Sequence, residues 1–258
     1  IKINSGLVWS DEFNSNGTPN SANWTYDLGA GGWGNNEAQT YTNDAANVIV
    51  EGGFLKITAK ADGNGGYTSA RLKSEGLFDF KYGRVEVRAK MPTGAGTWPA
   101  IWTLGKNITE NGGYWQTQGY GTTGWPACGE IDIIEHWGNN QNYVQSAMHT
   151  PSSHGGTVNY GGQYITTAST QFHTYEMDWN SDRIIFSVNG FEHYRYAPTV
   201  KNSETWPYDA EQYLLLNIAI QDNISTSFDQ SAMEIDYVRV YAEGAGSSAA
   251  PIWADEFE

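Results

Sequence analysis

Apolar and polar residues alternate with period two in short runs along most of the chain. Two of these are Phe54-Leu55-Lys56-Ile57-Thr58-Ala59-Lys60 and Gly83-Arg84-Val85-Glu86-Val87-Arg88-Ala89-Lys90-Met91. Such alternation sets one side of an extended strand against a core and the other toward water. Comparable runs cover 183–189, 213–220 and 233–241, and no segment holds a 3.6-residue apolar stripe over three turns. Thirty Gly and 8 Pro punctuate the runs, so the strands are short and joined by turns. Many short antiparallel strands without a sustained helix predict an all-β fold, a β-jelly-roll sandwich of two antiparallel sheets.

A length of 258 residues suits one large all-β domain. The stretch 243–251, Glu-Gly-Ala-Gly-Ser-Ser-Ala-Ala-Pro, has the composition of a flexible linker. The domain is therefore expected to span 1–242, with 243–258 as linker and tail. Within the tail, Pro251-Ile252-Trp253-Ala254-Asp255-Glu256-Phe257 echoes Leu7-Val8-Trp9-Ser10-Asp11-Glu12-Phe13. A second copy of a first-strand motif could pair with an open sheet edge, so strand exchange through the tail is an expectation, on an otherwise monomeric chain.

Charge changes the picture of partners. Fourteen Lys+Arg against 29 Asp+Glu leave a net charge of −15, which repels nucleic-acid backbones and anionic membrane surfaces. Charged residues are only 17% of the chain while aromatics are 14%, so the surface is polar mainly through amides and hydroxyls. That combination suits a neutral, ring-shaped, hydroxyl-rich ligand. The lone Cys128 excludes an intramolecular disulfide. No apolar run approaches the roughly 18 residues of a membrane-spanning helix, and the chain reads as a mature secreted or cell-surface protein without its signal peptide.

The most informative stretch is Glu130-Ile-Asp132-Ile-Ile-Glu135-His-Trp137. In a regular strand Glu130 and Asp132 share a face while Glu135 points the other way with Ile131 and Ile133. A one-residue β-bulge between Asp132 and Glu135 would return all three acids to one face. Aligned acids repel, and that raises at least one pKa, as an acid catalyst at neutral pH requires. Two carboxylates flanking a bond, one as nucleophile and one as acid then base, perform retaining glycoside hydrolysis. The spacing alone leaves open which Glu takes which role.

These residues resemble the catalytic signature of glycoside hydrolase family 16, in the bulged form of laminarinases, the endo-1,3-β-glucanases. The likeness extends to Trp9-Ser-Asp-Glu-Phe13, Trp33-Gly-Asn-Asn-Glu37-Ala-Gln39-Thr-Tyr41, Tyr67-Thr-Ser-Ala-Arg71, Tyr82-Gly-Arg-Val-Glu-Val-Arg-Ala-Lys-Met-Pro92, Thr97-Trp98-Pro-Ala-Ile-Trp102, Phe172-His-Thr-Tyr175 and Glu234-Ile-Asp-Tyr-Val-Arg-Val-Tyr241. It implies a jelly roll whose concave sheet forms a polysaccharide cleft, with Glu130 as nucleophile, Glu135 as general acid/base and Asp132 as the assistant between them. Trp98, Trp102 and Trp125 match cleft aromatics, Asn35, Glu37 and Arg71 match polar contacts on the glycone side, and His149 matches a histidine on the leaving-group side. Sugar rings pack their C–H faces on indoles and need hydrogen bonds around the rim, which this mixture supplies.

The five histidines show no paired zinc-binding spacing, and His136 reads as structural. The resemblance implies no cofactor for catalysis and a structural Ca2+ far from the cleft, held by the Asp236 carboxylate and the carbonyls of Glu12 and Gly53. The sequence departs from the pattern at Gln221-Asp222-Asn223-Ile224, where many laminarinases carry a cleft-edge aromatic. A mixed-linkage β-1,3-1,4-glucanase and a galactan hydrolase of the agarase or carrageenase type are the enzymatic alternatives. A lectin-like glycan-binding protein is the alternative outside enzymes, and the presence of all three acids weighs against it.

Overall fold

A computed structural model describes residues 6–109 and 121–244. Most of the predicted linker and the whole of the 251–257 repeat lie outside the described residues. The strands form two sheets. The first contains β1 (Leu7–Asp11), β3 (Gln39–Tyr41), β4 (Val48–Glu51), β5 (Phe54–Ala61), β6 (Tyr67–Ser69), β8 (Gly83–Lys90), β13 (His173–Trp179), β14 (Ile184–Val188), β15 (Phe191–Tyr196) and β17 (Gln230–Tyr241). The second contains β2 (Thr25–Asp27), β7 (Arg71–Lys73), β9 (Thr97–Gly105), β10 (Glu130–His136), β11 (Tyr143–His149), β12 (Tyr160–Tyr164) and β16 (Gln212–Ile220). The only described helical turns are two three-residue 3-10 segments, Gly32–Gly34 and Gly138–Asn140.

The seven-stranded sheet runs in the order β12-β11-β10-β9-β16-β7-β2, so the strand with the three acids lies inside it, paired on both sides. Apart from the parallel contact between β3 and β6, the strand pairs of both sheets are antiparallel.

The alternation read from the sequence decides what enters the core. On β8, Val85, Val87 and Ala89 are buried, and on β5 Leu55, Ile57 and Ala59. They meet Ile101, Ile131, Val144, Met148, Leu214, Leu216 and Ile218 of the other sheet in one continuous hydrophobic cluster. β16 breaks the alternation, because every residue on it is buried. Its outward side is covered too: Tyr213 and Leu215 join Leu104, Ile108 and Cys128 in a second small cluster against Trp102. A strand covered on both faces reads as a near-continuous apolar run. Gln212 at its start and Asn217 in its interior are the amides on it, and Asn217 lies on the cleft side.

Candidate active site

A cleft of about 1100 Å3 crosses the outer face of the seven-stranded sheet, lined by residues from all seven of its strands, from Asp27 on β2 to Tyr160 on β12. Its floor is set by an irregularity in β10. Asp132 pairs with Ala147 and Glu135 with Gln145, so one extra residue is accommodated between them, and the pairing with β9 shifts at the same place. Ile131, Ile133 and Ile134 all point into the core, while Glu130, Asp132 and Glu135 all line the cleft. The bulge expected from the spacing of the acids is therefore present. Magnitudes explain why it wins: disrupting a ladder hydrogen bond costs about 1 kcal/mol, whereas burying an isoleucine side chain contributes roughly 1.5–3 kcal/mol. Without the bulge an isoleucine would face the cleft and Glu135 would face the core.

Each acid is held by a different neighbour. Trp125 Nε1 donates to Glu130 Oε2 at 2.7 Å, and Trp98 Nε1 donates to Glu135 Oε1 at 3.0 Å. His149 Nε2 lies 3.0 Å from Asp132 Oδ2 and 3.7 Å from Glu130 Oε1. Because His149 Nδ1 accepts the Gly155 N–H at 3.1 Å, the neutral ring carries its proton on Nε2, facing the acids. Tyr208 fixes the backbone beneath, its hydroxyl 2.8 Å from the His149 carbonyl and 3.2 Å from the Glu130 carbonyl. The residue before Glu130 is a glycine for a local reason: Gly129 has φ +82°, and a Cβ there would stand 3.1 Å from the Tyr208 ring.

Burial dominates the electrostatics. It pushes the Glu130 carboxyl up to about 8, with the Asp132 charge adding to the rise and His149, the Trp125 N–H and Arg71 opposing it. Burial likewise raises Asp132. Glu135 is raised well above the ordinary carboxylate range, by burial first and the Asp132 charge second. Three interacting carboxyls this close do not all ionise together at neutral pH, so one can be charged while a neighbour keeps its proton.

One end of the cleft is a braced polar wall. Arg71 pairs with Asp27 at 2.9 Å, Lys73 with Asp27 at 2.6 Å and with Glu75 at 2.5 Å. The Arg71 guanidinium lies over Trp102 at 4.6 Å and Trp33 at 5.1 Å. Asn35 and Gln39 donate to Glu37 at 3.1 and 2.6 Å, and Trp102 Nε1 donates to Asn217, which donates to the Tyr41 hydroxyl. The other end is more aromatic: Trp125, 44% exposed, lies near His149 and His154, and Tyr160 stands half-exposed on the edge strand.

The structure thus brings Asn35, Glu37, Arg71, Trp98, Trp102, Trp125 and His149 into the same cleft as the three acids. His136 is buried away from it, with Nε2 2.8 Å from the Gln141 carbonyl and its pKa lowered by burial. Sequence reasoning missed Asp27, Trp33, Trp137, Tyr160 and Asn217 in the cleft wall. Trp33 and Trp137, the latter stacked 6.1 Å from Trp98, adjoin motif residues, and Asn217 is a lone amide in an apolar run; those signals were available. Asp27 and Tyr160 carried none. At the divergent Gln221–Ile224 turn the side chain of Ile224 turns into the core.

Two groupings bear on metals. Glu130, Asp132 and His149 each present a ligand atom within 4.8 Å of the others, but an imidazole that directs a ring proton at the acids is arranged as a proton donor. On the other sheet, β17 shifts register between Ile235 and Tyr237, placing Asp236 at an irregularity, with Ile235 opposite Leu55 of β5 and Val238 opposite Asp11 of β1. This topology brings Glu12, Gly53 and Asp236 into one neighbourhood. The Asp236 carboxylate accepts from Arg88, and the Glu12 carboxylate is held by Arg239 at 2.8 and 2.7 Å. A cation there would have one carboxylate, shared with Arg88, and backbone carbonyls, a donor set that fits a hard ion.

Comparison with known proteins agrees with the site. The family model for glycosyl hydrolases family 16 matches residues 35–239. A β-glucanase of Rhodothermus marinus is 39% identical over 252 residues, covering 91% of this chain and 84% of that protein. The crystal structure of a laminarinase from Flavobacterium sp. UMI-01 superposes with a TM-score of 0.82 at 39% identity, covering 91% of this chain and 99% of that one. A glutamate-to-serine variant of LamA from Z. galactanivorans, solved with laminaritriose and laminaritetraose, gives 0.79 at 42% identity, covering 92% and 99%. With its jelly-roll sheets, its bulged row of acids and these likenesses, the chain belongs to glycosyl hydrolases family 16.

Proposed function

We propose that this chain is an endo-acting, retaining hydrolase of β-1,3-glucan of the laminarin type, with Glu130 as nucleophile and Glu135 as general acid and base. The observation that carries the reading is the β10 bulge, which sets Glu130, Asp132 and Glu135 in a row on the cleft floor between two indole donors. The sugar accepted by the relatives supports the substrate. A cleft lined by every strand of the sheet suits the interior of a long chain, hence endo action.

In the first step Glu135 gives its proton to the glycosidic oxygen as that bond breaks, and the Glu130 carboxylate attacks C1 to form a glycosyl-enzyme ester. In the second, Glu135, now ionised, takes a proton from water, whose oxygen attacks C1 and releases Glu130. Asp132, beside Glu130 and 3.0 Å from His149, assists by carrying charge or a proton between the two. The raised pKa of Glu135 keeps it protonated for the first step. A monomer suffices, since one chain supplies every group in the scheme, and a polymeric substrate suits a secreted or cell-surface enzyme.

The test is reducing-sugar release with product sizing from laminarin, mixed-linkage β-glucan and agarose, using wild type and Glu130→Ser in parallel. Short oligosaccharides from laminarin that vanish in the variant are expected. Cleavage of agarose alone would replace the substrate, and binding without turnover would favour the lectin.

A structural Ca2+ at Asp236 with the Glu12 and Gly53 carbonyls belongs to the same proposal. It would tie β1, β5 and β17 together and contribute nothing to the chemistry. Calcium should raise the melting temperature of wild type and leave Asp236→Asn unmoved.

A further inference from the structure

The bulge that aligns the acids is itself gripped from behind. Ser146 on β11 is fully buried between the sheets, and its hydroxyl donates to the carbonyl of Ile133 at 2.7 Å. Ile133 lies within the extra-residue segment of β10, between the register pairs of Asp132 and Glu135. His193, on β15 of the opposite sheet, places Nε2 2.8 Å from the same hydroxyl oxygen. A serine has one proton to give, and here it goes to Ile133, so His193 must be the donor and must carry its proton on Nε2. That leaves Nδ1 as an acceptor, and the Gln163 amide from β12 lies 3.2 Å away to donate to it. Each group has one partner for each role, so the chain Gln163 to His193 to Ser146 to Ile133 has a single consistent direction. Burial lowers the His193 pKa to about 4, which keeps the ring neutral in that tautomer over the working range.

The approach of the two sheets is also specified. A Cβ at Gly161 of β12 would stand 2.8 Å from Cδ2 and 2.9 Å from Cβ of Tyr194, beside His193, so only a glycine lets β15 come close enough. A bulge disrupts the ladder around it, and its geometry decides where Glu135 points. Groups that act at once on the proton of a leaving group lose rate steeply when displaced.

We infer that Ser146 and His193 are positioning residues for the general acid: their hydrogen bonds clamp the Ile133 carbonyl and thereby fix the orientation of Glu135. Neither touches substrate. The inference rests on the reading of Glu135 as the acid, and the experiment separates the two.

Wild type, Ser146→Ala, Ser146→Thr, His193→Phe and Glu135→Ala are assayed on laminarin and on a 2,4-dinitrophenyl β-laminaribioside, whose leaving group departs without protonation. Ser146→Ala and His193→Phe should each lower kcat/KM on laminarin by roughly tenfold, mostly through kcat. On the aryl glycoside kcat/KM should change by less than about twofold. Ser146→Thr, which keeps the hydroxyl, should recover most of the laminarin activity. Equal losses on both substrates, or no loss in either variant, would overturn the inference, and His193→Phe keeps the test open if Ser146→Ala folds poorly. Glu135→Ala should lose about 10²- to 10⁴-fold on laminarin while retaining the aryl substrate. If it does so while Ser146→Ala shows no selectivity, the clamp alone is wrong; if Glu135→Ala keeps its laminarin activity, the acid assignment falls and the clamp with it.

Discussion

Both sheets carry a cluster of acids on the side away from the core, and the two are built to opposite effect. On β8 and β13, Glu86 and Glu176 are directly opposed in register. Arg84 stands beside both, in an ion pair with Glu86 and 3.2 Å from Glu176. Glu176 also accepts from the Ser187 hydroxyl and the Gly190 N–H. On β10 Asp132 and Glu135 are also buried and Glu130 is partly so, yet among the described residues only the His149 imidazole comes within 4 Å of any of them as an ion-pair partner. Arg71, the cation that nears the site, is engaged by Asp27. Like charges in a sheet are tolerated where a guanidinium compensates them and become proton reservoirs where none does. The first arrangement builds a sheet and the second suits chemistry.

That contrast can be broken from either side. The largest effect should come from Glu130→Ala, with kcat on laminarin reduced by at least about 10³-fold and the fold intact by circular dichroism. Glu135→Gln should lower kcat by about 10²- to 10⁴-fold and at the same time raise Tm at pH 8 by about 2–4 °C. The sign follows from linkage. A carboxyl whose folded pKa is raised binds its proton more tightly when folded, so the stability it contributes is present below its unfolded pKa and is lost as pH rises toward the folded one. Glu130, raised from 4.5 to about 8, places that loss between those values, and melting curves across the same range should show wild type falling more steeply than Glu135→Gln. The same raised carboxyls should place the acid limb of the kcat/KM profile above the ordinary carboxylate range.

On the compensated side, Arg84→Ala should cost roughly 3 kcal/mol in denaturant unfolding, because it leaves two facing carboxylates without their cation, while kcat and KM stay as in wild type. The smallest effect should come from Trp98→Phe, which removes one donor to Glu135 and keeps the ring. About tenfold in kcat is expected, with little change in Tm.

Much of this was legible in the sequence wherever the cause is local. The two isoleucines between Asp132 and Glu135 demanded a bulge because period two cannot otherwise satisfy both faces. The alternation on β5, β8 and β14 named its own core residues. The parts that were not legible depend on which distant strands become neighbours. Nothing in Tyr160, Asp27 or His193 announces that β12, β2 or β15 will lie beside β11, β7 or β12. Trp125 was assigned to the cleft as a sugar platform, and its hydrogen bond to Glu130 became visible only once the loop before β10 was placed. The Ser146 hydroxyl illustrates the same limit: a serine in an apolar strand reads as a small core residue until the carbonyl opposite it is known to belong to a bulge.

The most direct test of the central claim is to incubate the enzyme with a 2-deoxy-2-fluoro-β-laminaribiosyl fluoride, which forms the glycosyl-enzyme readily and hydrolyses it slowly, and to map the adduct by peptide mass spectrometry. The account predicts one sugar ester per chain, on Glu130. An adduct on Glu135, or continued laminarin hydrolysis with no adduct anywhere, would contradict it.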